Sequence, residues 1–530
     1  MWRKTAVIGL LVASAAVVPP SASQADTPAP PALALAPATL RPLGKVDPDF
    51  QSYNVEMASV IGGRFWRPYR RQEVEADDAV APTSGSFDEL RSGAMFQQRA
   101  PLDLSNRRLR NLAAGLGPAY MRVSGTWANK VYFQRAGDPP NVAAPPGFDG
   151  VLTRKEWRGV VHFAHAAHAK LLISFTISPG VRDAQGVWTP DQARALLAYT
   201  RRLGGSVAAA EFFNEPNVAS GGGAATDYSA RDFARDHDVF VRFARREAPH
   251  MLIVGPSAAG DGQTVPGLKA LSTESLLSAA PRPVVDVFSF HYYNGLSRRC
   301  AAMGATLQSR PADALSEAWL AHADAPTRAY EALRNRFAPG KPIWVTETAD
   351  AACGGNPWAP TFLDVFRYVD WLGRYAQLGV SVVFHNTLLG SDYGLVEEDR
   401  LQPTPRYWAA SLWRRLMSDT VLHPQAAPDG LRLYAHCLRN RSGGVALAAI
   451  NLTAAAREIS VPVRSIRYQL TADTLTARSV RLNGRILQLS PTDTVPSMSG
   501  DAVEAGVTFL PAHSVTFFEM RGAGNAACRL

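Results

Sequence analysis

Eight short apolar runs, separated by amphipathic stretches, constrain the fold of this 530-residue chain more than any other feature. They fall at residues 53–57, 120–123, 171–175, 208–213, 251–255, 284–291, 343–347 and 380–385. Each is largely continuous rather than alternating, the pattern of a strand buried on both faces. The stretches between them carry helix start signals: Thr153 with Glu156, Thr189 with Gln192 and Pro190 at the first helical position, and Thr361 with Asp364. Residues 407–417 read as a closing helix. Strand and helix alternating eight times predicts an α/β fold, a (β/α)8 TIM barrel. A doubly wound open sheet fits less well, because no glycine-rich phosphate loop follows the first strand.

From residue 419 onward the pattern changes. Short runs at 431–435, 444–452, 466–470, 486–489 and 515–520 are set apart by Gly, Asn, Asp and Pro turns, and Asn483-Gly484 is a good two-residue hairpin turn. Residues 419–530 are expected to form a C-terminal β-sandwich domain packed on a barrel of residues 47–418. Residues 26–46 are a Pro/Ala-rich arm whose later part, from residue 33, is placed to add a strand to that sandwich.

Residues 1–25 read as a signal peptide. Arg3-Lys4 supply the positive start, residues 5–18 the apolar core, and Ser23-Gln24-Ala25 a small-x-small cleavage site. The apolar stretch is short for a membrane span, so the mature chain is expected to be exported, periplasmic or secreted. There its four cysteines can pair in three ways. Cys437 and Cys528 share the C-terminal segment, and Cys300 and Cys353 each follow a strand-like run, which favours Cys300–Cys353 with Cys437–Cys528. Four free buried thiols are the alternative.

Composition bounds the partners. A net charge of +9 and a pI near 9.5 suit an acidic polymer. The arginines come as scattered doublets such as Arg107-Arg108 and Arg201-Arg202, which solvated helix faces also explain. No groove-reading or stacking module for nucleic acid is visible.

In a (β/α)8 barrel, catalytic residues sit where strands end and βα loops begin. Glu56, Glu215, His291, Glu347 and His385 all fall at such ends. Glu211-Phe212-Phe213-Asn214-Glu215-Pro216-Asn217 carries an aromatic run onto an amide, a carboxylate and a strand-stopping proline. Pro342-Ile343-Trp344-Val345-Thr346-Glu347 delivers a second carboxylate. Two such carboxylates are what glycosidic cleavage needs, one to protonate the leaving oxygen and one to attack the anomeric carbon.

These motifs resemble the retaining clan A glycosidases, and the resemblance narrows. The segment from Leu112 to Arg122, then Phe213-Asn214-Glu215-Pro216-Asn217, His291-Tyr292-Tyr293, Trp344-Val345-Thr346-Glu347-Thr348, Arg406-Tyr407-Trp408 and Tyr434-Ala435-His436-Cys437 are similar to the heparanase and β-glucuronidase family, glycoside hydrolase family seventy-nine. The likeness implies a retaining β-glucuronidase with Glu215 as acid/base and Glu347 as nucleophile. It implies sugar contacts from Glu56, Asn214, His291, Tyr293, Asn386 and Tyr393, and a uronate carboxylate at the Gly354-Gly355 turn. Cys528 takes the place of the family's disulfide partner. No cofactor and no metal site are expected, and a monomer is.

Two departures stand out. Cys353 stands where the family can carry a tyrosine before the glycine pair. The loop at residues 60–101, with Phe65-Trp66, Arg67 and the acidic stretch 73–78, is longer than the family needs. Only residues 130–150 lie after the second strand, without a long basic excised linker, so the mature enzyme is expected to be one chain. The leading expectation is internal cleavage of a glucuronic-acid-containing polysaccharide such as heparan sulfate. The alternatives are an exo-acting β-glucuronidase on chain ends or small glucuronides, and a non-catalytic glycan-binding relative.

Overall fold

Eight parallel strands close into a barrel in sequence order: Gln51–Glu56, Ala119–Ser124, Ala169–Ser174, Val207–Glu211, Leu252–Ala258, Val287–Tyr293, Ile343–Ala349 and Val380–His385. The eighth closes on the first through Val383 with Gln51 and His385 with Tyr53. This computed structural model describes residues 32–70, 95–261, 270–303 and 310–529. The expected signal peptide and the acidic stretch 73–78 lie outside the described residues.

Strand periodicity builds the barrel interior in layers. Tyr120, Leu172, Ala209, Val254, Trp344 and Phe384 form an apolar layer, with the Tyr120 and Trp344 rings 4.9 Å apart. Two residues further along their strands, the same inward direction is taken by Arg122, Ser174 and Glu211. The barrel is therefore apolar at its base and charged toward its C-terminal face. The outer strand faces pack on helices, as where Trp371 meets Tyr292 with ring centroids 5.7 Å apart.

Helix starts follow the sequence signals only in part. Thr153 and Glu156 form the reciprocal capping box of the helix Arg154–Ala166. The box expected at Thr189 and Gln192 does not form. The Thr189 hydroxyl donates instead to Val181 O, and Gln192 Oε1 accepts from Phe133 N, so both side chains tie neighbouring loops to the helix rather than cap it. At Leu363–Gln377, Thr361 donates to Trp358 O and Asp364 is taken by Arg367 and Arg406. At the first place a partner distant in sequence, and at the second the Trp358 carbonyl with Arg367 and Arg406, outcompetes the cap. The closing helix spans Pro405–Leu416.

Beyond it lies a two-layer β domain. A nine-stranded sheet includes Met417–Leu422, Leu431–Leu438, Val445–Asn451, Ser465–Thr471 and Ser514–Met520. A three-stranded sheet of Leu33–Ala34, Arg457–Val461 and Gly506–Leu510 covers one face. Alternation along Leu431–Leu438 explains both contacts: Leu433, Ala435 and Cys437 face the small sheet, while Tyr434 and Leu438 join the barrel's core. Pro42–Lys45 pairs with Met417–Leu422, so the arm contributes strands to both layers. Asn483 and Gly484, at φ +48° and +81°, make the two-residue turn between Arg481–Leu482 and Arg485–Ile486. The run expected at 486–489 keeps only its first residue as strand.

Both favoured disulfides are present, Cys300–Cys353 and Cys437–Cys528. The second closes a sequence separation of 91 residues between the strand Leu431–Leu438 and the C-terminus. Loop-closure entropy makes its expected contribution about 4 kcal/mol. Changing Cys437 and Cys528 to serine is expected to lower denaturant-unfolding stability by that order; an unchanged midpoint would show that the unfolded chain is already restrained.

Candidate active site

The site is built on a fully buried cation. Arg122 donates through Nε and Nη2 to both Glu211 oxygens at 2.9 Å, through Nη1 to Glu347 Oε2 at 3.0 Å, and through Nη2 to Asn214 Oδ1 at 2.7 Å. Burial works against its charge, but Glu211 and Glu347 more than restore it. Burial alone would raise the Glu211 carboxyl, yet Arg122 and the Ser174 hydroxyl, donating at 2.6 Å, hold it below its ordinary value. Glu211 is thus a fixed countercharge, and Arg122 a fixed donor array aimed at Glu347 and Asn214.

The strand carrying Glu211 ends there, four residues before Glu215, and not at Phe213 as the apolar run suggests. Phe212 turns outward to stack on Phe240 at 5.3 Å. Asn129 then pins the loop: its amide donates to Asn214 O and accepts from Asn214 N, both at 2.9 Å. Glu215 follows in the left-handed region at φ +52° and opens the short 3-10 turn Pro216–Val218. A non-glycine residue at positive φ is strained, and here the Asn129 clamp on one side and Pro216 on the other hold it.

Glu347, near the end of the seventh strand, is gripped at both oxygens. Arg122 holds Oε2, while Oε1 accepts from the Tyr293 hydroxyl at 2.5 Å and from Asn386 Nδ2 at 3.4 Å. Asn386 also donates to the Tyr293 hydroxyl at 2.7 Å, and Asn54 Nδ2 fixes its other end at 3.2 Å. Burial, reinforced by the Glu347 charge, pushes Tyr293 well above its ordinary pKa, so it remains a donor.

His291 stands between the two glutamates. Its Nδ1 lies 3.1 Å from Glu215 Oε1 and 3.6 Å from Glu347 Oε2, and its Nε2 lies 3.3 Å from Arg122 Nη2. One ligand atom from each of Glu215, His291 and Glu347 falls within 4.8 Å of the others. One oxygen of Glu215 and one of Glu347 therefore lie within 4.8 Å of each other, closer than the roughly 6.5–9.5 Å of an inverting pair, as a retaining pair requires.

Glu56, ending the first strand, is different in kind. Burial first, then the Glu347 charge, raises its carboxyl from an ordinary 4.5 to about 8. Its Oε2 lies against Gly125, where a Cβ would fall 1.9 Å away and φ is +90°. This upward shift favours the neutral acid, which spares the site a further negative charge. The folded state binds the proton more tightly than the unfolded chain, so this group's stabilisation is complete below about pH 4.5 and is lost as pH rises through about 8. Glu56→Gln is expected to flatten the decline of melting temperature with pH across that window; parallel curves for variant and wild type would contradict the shift.

The remaining nominated residues form the surrounding wall. Tyr393 packs with Phe65, Tyr293 and Ala349 in a buried cluster, and its carbonyl is 2.8 Å from His385 Nε2. Gly354 and Gly355 form a turn at φ +88° and +83°. A Cβ on Gly354 would meet Trp66 at 2.7 Å and one on Gly355 would meet Tyr393 N at 2.9 Å, so these glycines let the first and eighth loops close in. The first loop contributes an antiparallel ribbon, Gly63–Trp66 with Phe96–Arg99, stapled by Trp66 on Phe96 at 4.5 Å and by Phe65 against Trp127 at 5.3 Å. Beside it a cleft of about 1220 Å³ reaches Asn214 and Glu215 and is walled by Arg64, Phe96, Trp127 and Lys130.

Sequence reasoning assigned no role to Arg122, Glu211, Asn129 or Ser174. A signal for the first two was present: an arginine and a glutamate each lie inside an apolar run expected to be buried on both faces, and such charges persist only when paired. Nothing in the sequence marks Asn129 or Ser174.

The chain is 29% identical over 494 residues to the heparanase of Mus musculus, spanning 80% of this chain and 88% of that protein. It is 24% identical over 446 residues to the baicalin-beta-D-glucuronidase of Scutellaria baicalensis, spanning 75% and 79%. A 4-O-alpha-L-rhamnosyl-beta-D-glucuronidase from Fusarium oxysporum shares the fold at a TM-score of 0.61, with 14% identity over 92% of this chain and 100% of that one. The N-terminal domain of glycosyl hydrolase family 79 matches residues 97–373, more than half of the chain. A closed (β/α)8 barrel, two β layers behind it and that match together establish that this chain is a glycoside hydrolase belonging to glycosyl hydrolase family 79.

Proposed function

We propose that the chain is a retaining β-glucuronidase acting on a glucuronic-acid-containing polysaccharide such as heparan sulfate. The observation that carries the mechanism is the Glu215, His291 and Glu347 cluster, in which one side-chain N or O of each residue lies within 4.8 Å of the others. Glu347, oriented by Arg122, Tyr293 and Asn386, attacks the anomeric carbon while Glu215 protonates the departing oxygen. Glu215 then takes a proton from the water that opens the glycosyl ester, and configuration is retained. Asn214, held by Arg122 and Asn129, presents its amide to the sugar 2-hydroxyl, and Glu56 and Tyr393 line the sugar site. The Gly354-Gly355 turn, beside Tyr393, takes the uronate carboxylate. The names of the heparanase and glucuronidase relatives support the sugar, and the wide cleft with Arg64 and Lys130 supports an acidic polymer. Two disulfides support export. Among the described residues no helix is long and apolar enough to cross a membrane.

Internal cleavage is the first reading. A second, removal of terminal glucuronate, is favoured by one observation: the first-loop ribbon sets Phe65 and Trp66 against Tyr293, Tyr393 and Ala349 and walls the site on that side. Size-exclusion chromatography of heparan sulfate after brief incubation separates the two. An early fall in chain length is expected for internal cleavage; free monosaccharide with an unmoved polymer peak supports the terminal mode. Failure to release aryl alcohol from an aryl β-glucuronide, with heparan sulfate also intact, would refute the glucuronidase reading.

A further inference from the structure

A second groove, distinct from the catalytic cleft, lies along the outside of the barrel. It has a volume of about 510 Å³ and runs along the helix Asp191–Arg202. Asp191, Arg194, Ala195, Ala198 and Arg202 lie on one stripe of that helix, and Phe133, Arg135 and Arg154 make the opposite wall. From Asp191 to Arg202 the stripe is about 16 Å long. Two alanines form its floor, leaving room for a chain rather than for a single ion.

Four arginines face one carboxylate in this groove. Arg194 is occupied, bonded to Asp191 at 2.7 Å and to Glu247 at 3.5 Å. Among the described residues, no carboxylate lies within salt-bridge distance of Arg135, Arg154 or Arg202. Arg154 is preordered, with its guanidinium 3.7 Å from the centroid of the Tyr199 ring, while Arg135 and Arg202 are exposed. A solvated helix face would intersperse the two signs; here the Asp138 carboxylate, which accepts from Arg135 N at 2.7 Å, offsets Arg135 in part, and Arg154 and Arg202 leave a local excess of positive charge around an elongated trough. The strand Val131–Phe133 connects the two sites: Lys130 and Val131 line the catalytic cleft, while Phe133 and Arg135 line the groove.

We propose that this groove is an auxiliary glycan-binding site that holds an anionic stretch of a linear acidic polysaccharide while another part of the same chain occupies the catalytic cleft. The proposal rests on the reading of the substrate as an acidic polysaccharide. Planar guanidinium forks suit carboxylate and sulfate groups. Their attachment to a cleft only a short strand away raises the local concentration of polymer at the catalytic glutamates.

The test uses the mature full-length protein with Arg135, Arg154 and Arg202 changed together to glutamine. Binding to size-defined heparan sulfate is expected to weaken about tenfold, the scale of two or three exposed ion pairs. Elution from immobilised heparan sulfate is expected at lower salt, and kcat/KM on a small aryl β-glucuronide is expected to be unchanged. Because Arg154 also stacks on Tyr199, the variant Arg135→Gln with Arg202→Gln, changed only at exposed positions, guards against misfolding and is expected to show the same effect at about threefold. A control changing the exposed Arg441, Arg485 and Arg529 lowers net charge equally and is expected to keep wild-type binding. Unchanged binding in both groove variants, or an equal loss in the control, overturns the proposal. If the wild type leaves aryl glucuronide uncut while the groove variants lose heparan sulfate, the glucuronidase reading fails and the groove stands; normal hydrolysis with unmoved binding removes the groove alone.

Discussion

Glu347→Gln is expected to lower kcat on an aryl β-glucuronide by on the order of 10⁴-fold or more, the scale on which loss of a covalent nucleophile is felt. The fold should survive, because a glutamine carbonyl still accepts on one side of this position and Arg122 keeps its two bonds to Glu211 and its bond to Asn214. Glu215→Gln is expected to cost about 10²–10⁴-fold on a substrate whose leaving group needs a proton. On one whose leaving group departs unprotonated, kcat/KM should fall far less, because bond cleavage then no longer depends on the acid, while kcat stays low because the water that opens the ester still lacks its base. In kcat/KM the pair of substrates separates the two glutamates: the Glu347 variant fails on both, the Glu215 variant chiefly on the first. Near-normal turnover by either variant on the demanding substrate would show that its glutamate does not have the role given to it.

Arg122→Met is expected to damage stability and catalysis together. It leaves Glu211, which is fully buried, without its cation, and breaking such a pair from one side costs about 3–5 kcal/mol. It also removes donors from Glu347 Oε2 and Asn214 Oδ1. Adding Glu211→Gln removes the stranded charge and should restore most of the stability, while kcat stays low because Glu347 still lacks its donor. Denaturant melts and kcat for both variants test this split. A single variant that melts like wild type, or a double variant that regains turnover, would mean that Arg122 does not organise the site.

Much of this architecture can be read from the sequence because it follows from periodicity. Continuous apolar runs such as 343–347 correspond to barrel strands, and the polar residues that end them, Glu56, His291, Glu347 and Asn386, converge on one face of the barrel. What escapes periodicity is what depends on partners distant in sequence. The run 208–213 does not reveal that the strand stops at Glu211, because Phe212 and Phe213 are as apolar as a strand would be and are buried by helices instead. Arg122 and Glu211 lie 89 residues apart and acquire meaning only when the second and fourth strands, on either side of the third, point both side chains into the barrel. Thr189 has the local signature of a cap, yet the carbonyl of Val181 takes its hydroxyl. The first-loop ribbon escapes for a similar reason, since Phe65 and Trp66 show no purpose until Trp127, Phe96 and Gly354 come to meet them.

The central claim is that Glu347 forms the covalent bond to sugar. The most direct measurement is peptide mass mapping after inactivation with a 2-deoxy-2-fluoro-β-glucuronosyl fluoride. The 2-fluorine destabilises the oxocarbenium-like state for both steps, while the reactive leaving group keeps the first fast enough for the ester to accumulate. A 2-deoxy-2-fluoroglucuronosyl mass increment on the peptide containing Glu347 is the predicted result. An increment on the peptide containing Glu215 or Glu56, or inactivation with no labelled peptide, would contradict it.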